Sequence, residues 1–413
     1  MQMTDEQLAL ITTQLQTIKD RSAFYADKFK DIDVADVRTQ EDFEKLPFSE
    51  KDDLRRVYPL GLQAVHDEEV VRIHSSSGTT GTPVIIPYTQ QDVTDWAIQF
   101  ARCYETAGIT NLDRIQITPG YGLWTAGIGF QLGCERLGAM AIPMGPGNTE
   151  KQLKMMQDLH TTVITGTSSY ALLLAEEISK RGLRDKLNLK KGVIGSERWG
   201  DKMRHRIAEE MGIEIFDIYG LTEVYGPGIG ISCEAHNGMH VWEDYVYVEI
   251  VDPKTGEVLP DGEVGEIVLT TLRKQGAPLI RYRTHDLSRI IPGACTCKYG
   301  HHHPRIDTIV GRTDDMVKVK GCNMFPAQIE EVIKFTDGTS SEYQMMIEAI
   351  NGRDVITLLF ETELTGEDRE KCERELEAIF KAKIGCTPEA KGVPIGELPR
   401  SEKKTKRIFD SRY

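Results

Sequence analysis

The chain has 413 residues, of which 40% are hydrophobic and 28% charged, with a formal net charge of -14. That size accommodates two or three domains around a large core. The excess of acid excludes a general binder of nucleic acid or of an anionic membrane surface, and the lack of any run of 18 apolar residues excludes a transmembrane helix.

The first twenty residues, MQMTDEQLALITTQLQTIKD, read as an amphipathic helix. Thr4 and Gln7 suit a capping box, and Leu8, Ile11, Leu15 and Ile18 recur at helical spacing. The stretch lacks the basic and apolar regions of a signal peptide, so the expected compartment is the cytoplasm, with the eight cysteines reduced.

A strand, VVRIH, leads into SSSGTTGTP (Ser75–Pro83), and VIIPY follows it. Six hydroxyls and two glycines suit a linker or turn. They also suit a cradle in which backbone N–H groups, freed by Gly78 and Gly81, wrap the oxygens of a polyphosphate. A Walker A loop is excluded because its lysine is missing. A helix over Gln91–Gly108, the strand RIQIT, a Gly-rich turn and another helix come next. IFDIYG, VYVEIVD, EIVLTTL and LSRII read as strands, with DPKTGEVLPDGEVGE as a hairpin-type stretch. From about Gly311 the texture becomes a strand, a helix over Pro326–Phe335, two strands, and a helix from Thr365 that stops before Gly385. The expected fold class is α/β. A large domain over residues 1–312 would combine α/β sheets with a β-rich subdomain, and a small α+β domain would cover 313–413.

Several polar clusters stand out. YGLTE, Tyr219–Glu223, follows an apolar strand. Its hydroxyl and carboxylate suit a nucleotide and magnesium at a strand end, or else a capped helix start at Thr222 and Glu223. RYRTHD sets Asp286 among basic side chains as an ion-pair acceptor or a clamp on a ribose diol, and GRTDD reads locally as a turn. Cys233, His236 and His240 lie close together, and Cys295 and Cys297 form a C-x-C pair followed by His301, His302 and His303. Two short ligand pairs brought together by a fold meet the needs of a structural zinc, with Cys233, His240, Cys295 and Cys297 the favoured set; the alternative is buried thiols and surface histidines. Cys103, Cys134, Cys322, Cys372 and Cys386 are scattered and read as structural.

SSSGTTGTP, DIYGLTE, YRTHD, GRTDDMVKVKG and PRSEKKTKR occur in this order, and together they resemble the adenylate-forming acyl-CoA synthetase superfamily. GYGLWTAGIGF, ERLGAMAIPMGPGNTEKQ and GRTDDMVKVKGCNMFPAQIEE look like its phenylacetate–coenzyme A ligase and aryl-CoA ligase branch, and the likeness runs from LPFSEKDDLR to the last helix. The resemblance implies that an acid is activated by ATP as acyl-adenylate and then passed to coenzyme A. It places Ser75, Ser76, Ser77, Gly78, Thr79, Thr80 and Gly81 over the phosphates, and Asp217, Tyr219 and Gly220 at the adenine, with Ser196 and Glu197 also binding nucleotide. Thr222 would touch the α-phosphate, Glu223 would hold Mg²⁺, and Asp286 would take the ribose hydroxyls with Arg312 nearby.

Lys404 would be the adenylation lysine, although the family's preceding glycine is here Lys403 and Lys406 lies close by. Asp314 would be the hinge for a rotation that withdraws Lys404 and brings in Lys318, Lys320 and Gly321 for coenzyme A. Tyr121, Gly122, Trp124, Thr125 and Gly127 would line a pocket for an aromatic acid such as phenylacetate or a larger indole acid. A homodimer is expected on the same grounds. Transfer of the acyl group to a carrier thiol, or of AMP to a cofactor, and a non-catalytic nucleotide-binding module are the alternatives.

Overall fold

The computed structural model describes residues 2–76, 82–197, 199–300, 302–320, 322–350, 353–400 and 406–412. Ser77–Gly81, His301, Gly321, Lys403 and Lys404 lie outside the described residues.

The N-terminal helix, Asp5–Arg21, starts on the expected reciprocal cap between Thr4 and Gln7 and buries Ile11, Leu15 and Ile18. β1 (Val70–Ser75) and β2 (Ile85–Thr89) form an antiparallel pair on either side of the Ser/Gly segment. The centre of the large domain is a run of short apolar strands, β3 (Arg114–Ile117), β4 (Met140–Pro143), β5 (Val163–Thr167), β6 (Lys191–Gly195) and β7 (Glu214–Leu221), paired in parallel. Their near-continuous apolar character fits strands covered on both faces by crossover helices. β8 (Gly226–Ser232) and β9 (Met239–Val241) then turn antiparallel. The complete nine-stranded order is β13-β14-β9-β8-β7-β6-β5-β3-β4, where β13 is Ile290–Ile291 and β14 is Arg305–Ile306.

The β-rich subdomain is a second sheet of β10 (Val246–Val251), β11 (Gly265–Thr271), β12 (Tyr282–Ser288) and β15 (Gly311–Arg312). The stretch DPKTGEVLPDGEVGE joins β10 to β11 as a hairpin connection. The single strand expected over LSRII divides instead. Leu287 and Ser288 end β12, while Ile290 and Ile291 pair with Arg305 and Ile306 in the other sheet. The local apolar pattern could not reveal that the chain changes sheets at Arg289.

The remainder forms its own layer pair. β16 (Val317–Val319) and β17 (Cys322–Met324) make a hairpin, and β18 (Tyr343–Ile350), β19 (Arg353–Glu361), β20 (Glu389–Val393) and β21 (Ile408–Asp410) make a sheet ordered β20-β19-β18-β21. Helices Pro326–Phe335 and Gly366–Ile384 cover it, the second running from Thr365 to a left-handed Gly385 as its sequence signals require. Met324, Ile329, Leu358, Leu376 and Phe380 form the core here, separate from the core built on Trp96, Phe100, Ile117 and Ile267. No helix among the described residues is long and apolar enough to cross a membrane.

The two domains touch through charged groups. Lys202 Nζ donates to the carbonyls of Thr336 at 3.0 Å and Thr339 at 3.1 Å, and Lys334 pairs with Asp201. Arg400 reaches Glu176 on helix Ser168–Lys180 at 2.7 Å while holding Glu361 of β19 at 2.8 Å.

Candidate functional site

The site grows around the end of β7. Successive side chains on a strand face opposite ways, so Asp217 and Tyr219 share one face. Tyr219 donates its hydroxyl to Asp286 Oδ2 at 2.8 Å, and Arg312 Nη1 donates to Asp286 Oδ1 at 2.7 Å. The register of β12 and β15 sets Asp286 directly opposite Arg312. Burial pushes the Asp286 carboxyl above its ordinary range against the pull of Arg312 and the Tyr219 hydroxyl. The same guanidinium forks onto Asp314, Nε at 2.8 Å and Nη2 at 2.9 Å. Burial also pushes Asp314 upward, but its bonds to Arg312 outweigh this and hold the carboxyl below its ordinary range. Asp286, Arg312 and Asp314, expected in separate roles, thus form one chain of charge-assisted bonds.

Beyond Tyr219 the backbone turns at Thr222–Tyr225 and returns as β8. The alternative of a capped helix starting at Thr222 and Glu223 is not what forms. A Cβ on Gly220 would stand 2.2 Å from the Gly226 carbonyl oxygen, so glycine permits the close antiparallel return that replaces the helix. Thr222 meets Thr125 at 3.2 Å between hydroxyl oxygens, both side chains being buried.

Glu223 is 4% exposed, and Lys51 Nζ lies 2.9 Å from its Oε1. The ammonium sits at ion-pair distance, but among the described residues that buried oxygen receives no directed hydrogen bond. A hard divalent cation accepts such an oxygen, so the Glu223 carboxylate fits the expected magnesium. Lys51 was not anticipated as a site residue. It starts helix Lys51–Arg56, and the segment before it is stitched to β12 by Ser49 N to Arg281 O at 3.0 Å and Arg283 N to Ser49 O at 2.9 Å. Its only sequence signal is its place within LPFSEKDDLR.

The acyl turn joins the base of the Ser/Gly segment. Leu123 O accepts from Ser75 N at 2.8 Å and faces His74 Nδ1 at 3.1 Å, while Ser76 and Val84 close the segment's base through Ser76 N to Val84 O and Val84 N to Ser76 Oγ, each at 3.0 Å. Gly122 adopts φ +106° with open space where a side chain would stand. A Cβ on Gly127 would sit 2.7 Å from Gly120 O, so that position has no room for a larger residue. Tyr121 is 38% exposed, its phenol pushed up to about 12 by burial, and the Trp124 ring lies over Gly120. One wall of open aromatic and glycine surface therefore adjoins Thr125, Thr222 and Ser75.

Other expected positions have different partners. Asp217 pairs with Arg204 at 2.8 Å, its carboxyl raised by burial. Glu197 Oε2 accepts from Ser168 Oγ at 2.9 Å and Ser169 N at 3.0 Å at the start of helix Ser168–Lys180, and Ser196 adopts φ +68° just before it. Lys318 is exposed on β16, and Lys320 donates to Asp354 and Thr387 within the small domain. Behind the Thr222–Tyr225 turn lies a lysine that no sequence pattern signalled. Lys274 is 1% exposed, its Nζ 3.8 Å from the centre of the Tyr88 ring and 4.5 Å from that of Tyr225, with no hydrogen-bond partner among the described residues; burial lowers its pKa to about 8.

The favoured thiol and imidazole ligands do come together. Cys233, His240, Cys295 and Cys297 are all buried, with their ligand atoms within 4.8 Å of one another. His236 instead pairs with Glu214 at 3.3 Å.

Comparison with known proteins agrees with this architecture. The family model of AMP-binding enzymes matches residues 3–272, and that of the AMP-binding enzyme C-terminal domain matches 321–412. The phenylacetate-coenzyme A ligase of Escherichia coli strain K12 is 41% identical across 99% of this chain and 95% of its own length. That of Pseudomonas putida is 39% identical across 99% and 94%. A solved 2-hydroxyisobutyryl-CoA ligase in the postadenylation state, with 2-HIB-AMP bound, superposes with a TM-score of 0.89 at 25% identity, covering 98% of this chain and 89% of that one. The same enzyme in the thioesterification state scores 0.71, at the same identity and coverage. The chain therefore superposes more fully on the first of these two structures than on the second. On the family models and the near-complete span of these relatives, the chain belongs to the phenylacetate–coenzyme A ligase family of AMP-binding enzymes.

Proposed function

We propose that the protein ligates phenylacetate to coenzyme A, forming phenylacetyl-CoA, AMP and pyrophosphate through an acyl-adenylate. ATP-dependent joining of an aryl acid to coenzyme A is the activity of the family; phenylacetate is the finer assignment. The observation that carries it is the linkage of three parts into one site: the base of the Ser/Gly segment, the Tyr121–Gly127 turn, and the strand end bearing Thr222 and Glu223. Open aromatic surface beside Thr222, the residue assigned to the α-phosphate, is what a flat, uncharged ring with a short carboxylate arm requires.

In the first half-reaction the acid's carboxylate oxygen attacks the α-phosphorus and pyrophosphate leaves. Thr222 binds the α-phosphate, Asp286 accepts from the ribose hydroxyls, and the Ser75–Gly81 segment donates to the outer phosphates. Magnesium at Glu223 supplies neutralisation of the triphosphate charge. Lys51 holds the Glu223 carboxylate in place and adds positive potential beside it. Lys404 stabilises charge building at the α-phosphoryl group, which is electrostatic work rather than proton transfer.

In the second half-reaction the coenzyme A thiol loses its proton, attacks the acyl carbon and displaces AMP. The small domain, residues 313–413, turns about Asp314 to bring Lys318, Lys320 and Gly321 to the coenzyme. The cofactor set is thus ATP, coenzyme A and Mg²⁺ at the site, with a zinc ion apart from it on the thiol cluster.

The test is AMP release with phenylacetate, with and without coenzyme A, beside ATP–pyrophosphate exchange over a panel of acids. Thiol-dependent AMP release and fastest exchange with phenylacetate are expected. Thiol-independent release would reject the ligase, and short fatty acids outrunning phenylacetate would reject the aryl assignment.

A further inference from the structure

We infer that Cys233, His240, Cys295 and Cys297 hold one zinc ion in a closed, non-catalytic site that fastens the far edge of the nine-stranded sheet. The inference does not depend on the acid substrate. A tetrahedral zinc with Zn–S bonds of about 2.3 Å and a Zn–N bond of about 2.0 Å has edges of about 3.7 Å between sulfurs and about 3.5 Å between sulfur and nitrogen. The Cys233 and Cys295 sulfurs are 3.7 Å apart, and Cys297 Sγ is 3.3 Å from His240 Nε2. Those are the spacings of ligands around an ion. A disulfide would need about 2.05 Å.

The surroundings fix the ligand atoms. His240 Nδ1 faces the His303 carbonyl at 3.3 Å, so its proton points away from the cluster and Nε2 keeps a lone pair for the metal. Gly300 N donates to Cys297 Sγ at 3.3 Å, which fixes the position of that sulfur. Three sulfurs and one imidazole, all buried, leave no position open to substrate or water, which is the pattern of a structural rather than a catalytic zinc.

Cys233 follows directly on β8, His240 lies in β9, and Cys295 and Cys297 belong to the connection over residues 292–304. That connection joins two strands of only two residues each, and among the described residues the buried apolar cluster that ties it to β8 consists of Cys233, Cys295 and Cys297. Three thiols bury too little apolar area to order such a segment. Bonds through a metal supply the missing constraint, because structural zinc binding is coupled to folding. Arg305 to Asn237 O and Gly293 O, and Lys298 N to Glu234, then complete the contact between the two loops. β8 pairs with β7, so the fastened edge also supports the strand that presents Tyr219 and Glu223.

The experiment is elemental analysis of the untagged full chain produced without added zinc, expected to give about one zinc per chain. Less than about half an equivalent, iron in its place, or a Cys233–Cys295 disulfide in non-reducing peptide mapping would overturn the inference. Cys295→Ser with Cys297→Ser should lose zinc at least about tenfold and lower the thermal midpoint by about 5 °C or more. Retention of zinc by that variant would refute the ligand set. Should it not fold, cobalt replacement in the unaltered protein decides: tetrahedral thiolate absorption supports the site, and an octahedral spectrum refutes it.

Discussion

Arg400 offers a direct way to weigh the contact between the two domains. Its guanidinium binds Glu361, which is wholly buried in the small domain, and bridges to Glu176 on the large one. The Arg400 side chain is 11% exposed and Glu176 23%, so solvent screens the bridge only in part. Glu176→Gln keeps the shape and removes the charge. A hydrogen bond to a charged partner contributes about 1.5–3 kcal/mol. Because Arg400 retains Glu361 and Arg206 shares Glu176, about 1–2 kcal/mol is a fair share for the bridge. That corresponds to about a 5- to 30-fold shift away from the docked arrangement.

The assay measures each half-reaction separately: pyrophosphate exchange for adenylation, and AMP release from supplied phenylacetyl-adenylate on adding coenzyme A. If docking serves only the first, the ratio of the two rates equals the docking ratio times a constant. It should then fall by the full factor whichever arrangement dominates. A ratio unchanged within about twofold, with both rates moving together, would refute the premise that docking serves adenylation alone.

Three further outcomes are expected. Lys404→Ala should cripple adenylate formation and spare thioester formation from supplied acyl-adenylate; equal loss of both would refute the exchange of Lys404 for the Lys318–Gly321 segment. Asp286→Asn should lower kcat/KM for ATP about 10- to 100-fold by weakening the ribose acceptor and unpairing Arg312, and an unaltered value would remove Asp286 from the nucleotide site. Lys274→Met should change the pH dependence of stability. The buried lysine, with Asp92, His74, Tyr88 and Tyr225 around it, has a folded pKa of about 8 against an ordinary 10.5, so the unfolded chain binds the extra proton between those values and stability rises with pH across that window. The gap corresponds to about 3 kcal/mol. The unaltered protein should therefore gain about 3 kcal/mol over the methionine variant between pH 7.5 and 10.5, read from urea midpoints, and parallel profiles would refute the burial argument.

Features governed by neighbours in the chain are legible in the sequence itself. Thr4 with Gln7 sets a helix start, and Gly385 a helix end, through bonds spanning a few residues. Features governed by distant pairing are not. Lys51 reaches Glu223 only because Ser49 pairs beside Tyr282, a relation no local pattern encodes. Arg289 hides a change of sheet inside an apolar run. At Thr222 and Glu223 a nucleotide site at a strand end and a capped helix start both stand open until the close approach of Gly220 to Gly226 decides against the helix. The thiol cluster lies between these cases: its residue types are visible, whereas the meeting of residues 233–240 with 295–297 depends on the short strands that join the sheet edge. Lys274 leaves no signal, because a lysine between two tyrosine faces looks like any surface lysine until the fold closes over it.

In the proposed mechanism one guanidinium serves both the ribose acid, Asp286, and the acid at the domain crossing, Asp314. Nη1 of Arg312 faces Asp286, while Nε and Nη2 face Asp314. A rigid planar group cannot follow two partners that move apart. Backbone rotation at residue 314 must therefore disturb the partner of Asp286, and a sugar that captures Asp286 must disturb the anchor of residue 314. By thermodynamic reciprocity, any factor by which a bound nucleotide eases the crossing is also the factor by which the crossed form alters nucleotide affinity. Occupancy and posture then share a single variable. An enzyme built this way keeps its two half-reactions in order without a separate sensor, because the ligand that defines each stage is held by the same side chain that restrains the next.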